Sequence, residues 1–124
     1  MIRELFCVGL GGAIGCMARH ALSTWMLGGH LLFGFPLGTF TVNAVGSLVI
    51  GFLLQTLNSS TWGWLLVTGL CGGFTTFSTF SADTVRLLRA GDYAPAVCYV
   101  VLSIAVCLLF TALGMLLGSQ TRTA

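Results

Sequence analysis

The chain has no lysine and only three acidic residues in 124. Charged residues make up 6% of it, against about 25% in ordinary soluble domains. So few charges cannot cover a surface that faces water, which excludes a soluble globular domain. With a net charge of +2 and no lysine, the chain offers no basic face for nucleic acid. The five cysteines, Cys7, Cys16, Cys71, Cys98 and Cys107, form no C-x-x-C pair, and their odd number argues against a disulfide framework. They read as small, soft, apolar residues in apolar segments. No metal-site spacing appears, and His20 and His30 have no carboxylate or cysteine partner that would suggest catalysis or metal binding. No nucleophile–base arrangement suggests an enzyme. No A-x-A-like site follows the first apolar run, so that segment is expected to be retained.

What the chain does have is apolar length. Hydrophobic residues make up 56%, and the mean hydropathy is +1.00. A spanning helix needs roughly 20 mostly apolar residues. Four runs qualify, at about residues 5–27, 35–57, 62–88 and 94–118. This is an all-α integral membrane protein with a single four-span domain. The connectors are "GGHLLFGFP", "NSST" and "RAGDY", the first apolar enough to lie in the interface. Trp25, Trp62, Trp64, Tyr93 and Tyr99 fall near span ends, where amphipathic rings sit at headgroup level. Glycines recur at helix-packing spacing: Gly11 and Gly15, Gly34 and Gly38, Gly69 and Gly73, Gly114 and Gly118. "GLGGAIG" lacks the spacing and the preceding strand of a dinucleotide loop.

Arginine gives almost no orienting bias. Arg3 and Arg122 lie on one side of the membrane, and Arg86 and Arg89 on the other, with Arg19 if it reaches that face. Either the counts are too small to orient the chain, or it inserts both ways and forms an antiparallel dual-topology homodimer. The latter has the symmetry of inverted-repeat transporters.

The third run carries "CGGFTTFSTF", Cys71 to Phe80. Gly72 and Gly73 each cost about 1 kcal/mol relative to alanine in a helix. Thr75, Thr76 and Thr79 compete for backbone hydrogen bonds. The patch is either a kink whose hydroxyls bond back to the helix, or a break in mid-membrane. A break needs cover from protein or a polar cavity, and its freed carbonyls can hold a cation. Phe77 and Phe80 share a helix face. Their positive ring edges suit a small anion; equally, they are ordinary packing.

Two polar stripes run at four-residue steps: Tyr99, Ser103, Cys107 and Thr111 in the fourth span, and Thr39, Asn43 and Ser47 in the second. Such rows are interhelical glue or a track of neutral donors for an anion. Arg19 is either a functional intramembrane charge or a snorkelling anchor at a pore mouth. Asp83 and Arg86, three residues apart, can pair at the interface.

"GGFTTFSTFS" (Gly72 to Ser81), "GTFTVNAVGS" (Gly38 to Ser47) and "GGAIGCMAR" (Gly11 to Arg19) together resemble the CrcB/Fluc fluoride channel family, over essentially the whole chain. The resemblance implies a fluoride-selective passive channel of bacterial inner membranes, built as an antiparallel homodimer with two pores. It implies that Phe77 and Phe80 line the pores, Asn43 orients them, and Ser103, Cys107 and Thr111 form a polar track with Tyr99 at its end. It implies a structural sodium ion held by the carbonyls of Gly72 and Thr75 from both subunits, and a vestibule arginine at Arg19. The chain departs from the family pattern at His20, where tyrosine is common, at Asp83, where glutamate is common, and at Cys107, where a hydroxyl is more usual. The competing readings are a small four-span multidrug-type exporter and a non-transporting membrane subunit. The exporter normally uses a carboxylate deep in a span, and Glu4 and Asp83 stand near span ends.

Overall fold

The structure is a computed structural model and describes residues 1–123. Four helices are long and apolar enough to cross a membrane: Ile2–Met26, Leu37–Thr56, Ser60–Arg89 and Tyr93–Thr123. We label the first two α1 and α2. The third is interrupted, giving α3 (residues 60–74) and α4 (Phe77–Arg89); the last is α5. Helices dominate because a chain in lipid must satisfy every backbone amide within its own segment. The result is a multi-pass membrane protein.

Two pairings hold the bundle, α2 with α5 and α1 with α3. Lipid gives helices no hydrophobic drive to associate, so close contact requires small residues. A methyl group on Gly114 would collide with the Leu48 carbonyl, one on Gly51 with the Thr111 carbonyl, and one on Gly11 with the Leu65 carbonyl. Gly73 lies against the Gly12 backbone in the same way. Three of the four spaced glycine pairs therefore bring backbones together. The fourth divides its roles: Gly38 packs against Ser23, whereas Gly34 sits in a turn.

That turn belongs to a small hairpin in the apolar connector. Strands β1 (Leu31–Leu32) and β2 (Phe35–Pro36) pair antiparallel, with Leu32 opposite Phe35. The reversal passes through Phe33 and Gly34, at φ 49° and 85°. Positive φ at both centres matches the twist of a tight hairpin, and glycine takes it without strain. The hairpin drives Phe35 fully into the core, where it packs with Phe80 and Tyr99.

The last turns of α1, Ala21–Met26, wind as a π-helix. The Ser23 hydroxyl donates to the Arg19 carbonyl at 2.7 Å, and a hydroxyl competing for that acceptor loosens the ordinary ladder.

Candidate functional site

The third crossing breaks at Thr75 and Thr76, which are extended (ψ 156° and 116°). Gly72 and Gly73 remain helical, Gly73 packing on the Gly12 backbone, and the threonines make the break. Thr76 then caps α4: its hydroxyl oxygen accepts from the Thr79 N–H at 3.2 Å. In an unbroken helix the Thr76 N–H would close on the Gly72 carbonyl. Here it donates to Asn43 Oδ1 at 2.8 Å, and Asn43 Nδ2 donates to the Thr76 carbonyl at 3.0 Å. One side-chain amide thus satisfies both backbone groups of the break and ties it to α2. The Gly72 carbonyl loses its helical donor as a result. Thr75 still bonds back, its N–H and hydroxyl both donating to the Cys71 carbonyl at 3.0 and 2.9 Å.

A polar cavity of about 410 Å³ opens beside the break, between α1, α2 and the start of α4. Its walls include Cys16, Arg19, His20, Ser23, Thr39, Thr76, Ser78 and Thr79. Arg19 brings the cavity's full positive charge, and the N-terminal end of α4 adds partial positive charge from unpaired amides. The remaining polar lining is mostly hydroxyls. The cavity therefore carries a net positive character.

Beyond it, a carboxylate joins three helices. Asp83, buried on α4, accepts at Oδ2 from the Thr39 and Tyr99 hydroxyls at 3.1 and 3.2 Å, and at Oδ1 from Arg86 at 3.2 Å. The pairing with Arg86 is the minor part, because Arg86 is largely exposed. Tyr99 is fully buried and its one hydroxyl hydrogen is committed to Asp83. It stacks on Phe35 (centroids 4.9 Å apart) and takes a T-shaped contact from Phe80 (4.9 Å).

Phe80 is buried, but Phe77 is 79% exposed on the outside of the bundle, its ring centroid 5.6 Å from that of Phe80. Ser103 is buried, and its hydroxyl has no hydrogen-bond partner among the described residues. Cys107 is half-buried, and Thr111 donates to the Cys107 carbonyl at 2.9 Å. The structure thus gathers Arg19, Thr39 and the break at the cavity, places Asn43 behind it, and groups Phe77, Phe80 and Tyr99 as one aromatic run. Ser103, Cys107 and Thr111 continue along α5, away from the cavity wall.

Several contributors were not singled out by sequence. Asp83 was read as a partner for Arg86 near a span end and as a departure from the family pattern, not as the acceptor that joins three helices. Phe35 was hidden in a connector. His20 had no evident partner, yet Cys16 lies one helical turn away and both line the cavity.

A four-crossing helical protein with a broken span beside a polar cavity has the architecture of a membrane channel or transporter. The family described as "CrcB-like protein, Camphor Resistance (CrcB)" matches residues 6–115, and the chain belongs to it. It is 46% identical to a fluoride-specific ion channel FluC of Methylobacillus flagellatus, over 98% of each chain. It is 42% identical to one of Escherichia coli O1:K1, over 92% of this chain and 93% of the relative. It is 40% identical to one of Parabacteroides distasonis, over 97% and 96%. These relatives are named as ion channels, not enzymes.

Proposed function

We propose that the chain is a fluoride-selective passive channel of the bacterial inner membrane, which lowers cytoplasmic fluoride. The observation that carries the reading is the cavity at the break: one arginine, a row of hydroxyls and a helix N-terminus converge there on a space fit for a small anion. The names of the relatives point to the same ion. Hydrogen fluoride enters a cell as a neutral weak acid and ionises inside, so a leak for the anion lets fluoride leave down its electrochemical gradient.

Desolvating so small an anion requires substitutes for water. Arg19 gathers fluoride at the mouth, and the hydroxyls of Ser78 and Thr79 take over part of its hydration. The hydrogen-bearing edges of Phe77 and Phe80 and the hydroxyl of Ser103 continue the path, with Cys107 and Thr111 beyond. Neutral donors suit conduction because binding stays weak enough to let the ion leave.

The working unit in this reading is an antiparallel homodimer with two pores. Phe77 supports it, since an aromatic ring meant to line a path is left open on the protomer surface. Sodium at the dimer centre fits the donor chemistry: neutral carbonyl oxygens at the break, from Gly72 and Thr75, suit a hard cation. Two carbonyls from one protomer are too few, so the partner's pair would complete the set. When bound, the ion neutralises converging carbonyl dipoles and fixes the two breaks against each other. The exporter reading needs a carboxylate open to cargo, and the buried one, Asp83, is occupied by three donors.

The test is release of fluoride from proteoliposomes under a potassium shunt, followed with a fluoride electrode. Rapid fluoride release with chloride retained supports the channel. Equal release of both anions, or proton-coupled uptake of an organic cation without fluoride flux, would rule it out.

A further inference from the structure

We propose that Cys16 and His20 form a binding site for a soft monovalent metal cation, Cu(I) or Ag(I), on the wall of the polar cavity. The two residues stand four apart on α1, which places their Cβ atoms about 5–6 Å apart on one face. Paired ligands four residues apart on a helix hold metal together in other proteins. Both residues line the polar cavity, so an ion that enters the cavity reaches them.

The imidazole is already oriented. Its ring makes an edge contact with Trp25, centroids 6.2 Å apart, and its Nδ1 lies 3.4 Å from the Thr24 hydroxyl. That arrangement leaves Nε2 as the free ligand atom. The sulfur is held in the polar space by Arg19, whose Nη2 lies 3.7 Å away.

Ligand number selects the metal. No third histidine, cysteine or carboxylate joins the pair among the described residues. Zinc, which takes four ligands, is therefore poorly served. Soft monovalent ions favour thiolate and accept two ligands in line. Charge agrees as well. On binding, the S–H bond breaks, the proton passes to water, a sulfur–metal bond forms, and the Nε2 lone pair fills the second position. One proton leaves as one monovalent cation arrives, so Arg19 meets no added charge; a divalent ion would add one.

The site stands whether or not the cavity is a channel mouth. If it is, the bound metal narrows the entrance. The test is equilibrium dialysis of the purified full chain in detergent against Ag(I) nitrate, in chloride-free buffer. Four other cysteines are present, so the pair is read by difference. Cys16→Ser is expected to remove one tight equivalent per chain. His20→Phe keeps a ring against Trp25 but supplies no nitrogen; it is expected to weaken that same equivalent at least tenfold, with the thiol count unchanged. Wild-type binding by His20→Phe, or no lost equivalent in Cys16→Ser, overturns the proposal. Circular dichroism and gel filtration confirm that both variants fold. Should His20→Phe fail to fold, His20→Gln reads the same difference.

Discussion

Asn43 does at one point what a neighbouring strand would do for an extended segment: it donates to and accepts from the same residue of the break. Asn43→Asp removes the donor and sets a carboxylate oxygen against the Thr76 carbonyl. The lost bond and the repulsion together cost about 1–3 kcal/mol, borne by the break and the start of α4. Fluoride efflux is expected to fall to background while gel filtration still shows an assembled protein. Ser103 gives the opposite signature in stability. Its buried hydroxyl has no partner among the described residues, so Ser103→Ala relieves a desolvation penalty of about 1 kcal/mol. Thermal unfolding is expected to be unchanged or later, with efflux several-fold slower. A hydroxyl that matters only for packing would not separate the two readouts. Asn43 and Ser103 were legible as members of polar stripes. The Asp83 network was not, because Thr39, Asp83 and Tyr99 are far apart in the chain and meet only after α2, α4 and α5 have packed.

Among the elements, α2 and α5 show how packing was written into the sequence. Gly51 and Gly114 let the two backbones touch, and a side chain at Gly114 meets the Leu48 carbonyl, which cannot move without bending the helix. Gly114→Leu is expected to destabilise by about 1–3 kcal/mol or more. The thermal unfolding midpoint in detergent should drop accordingly. Gly63→Ala is the matched control, since a methyl there meets nothing within 4 Å. Apolar length and glycine spacing were readable because lipid imposes one rule on every span. The hairpin was not: strands of two residues are too short for alternation to register, and their apolar residues looked like a connector. The third span was readable as irregular, but the fault lies at Thr75 and Thr76, whose backbone groups Asn43 satisfies from another helix.

For the whole molecule, charge and exposure point the same way. Arg3 and Arg122 sit at one end, bonded to Thr61 and to the Gln55 carbonyl, while Arg86 and Arg89 sit at the other. Neither end is favoured for the cytoplasm. Gly72 and Phe77 are exposed around the break, which leaves its backbone open on that side. In the proposed dimer, a second, inverted copy would cover it and supply the partner carbonyls for sodium. Replacing sodium by potassium on both sides of proteoliposomes is expected to abolish fluoride efflux, and restoring sodium to recover it. Unchanged efflux would remove the ion from the account. The central claim is that a dehydrated halide passes along neutral donors beside aromatic edges. An electron cryomicroscopy map of the protein in lipid nanodiscs tests it most directly. The expected map shows two inverted copies, with Phe77 turned to a passage that continues the Arg19 cavity past Phe80 and Ser103. A map with Phe77 facing acyl chains, and closed packing beside Phe80, would contradict it.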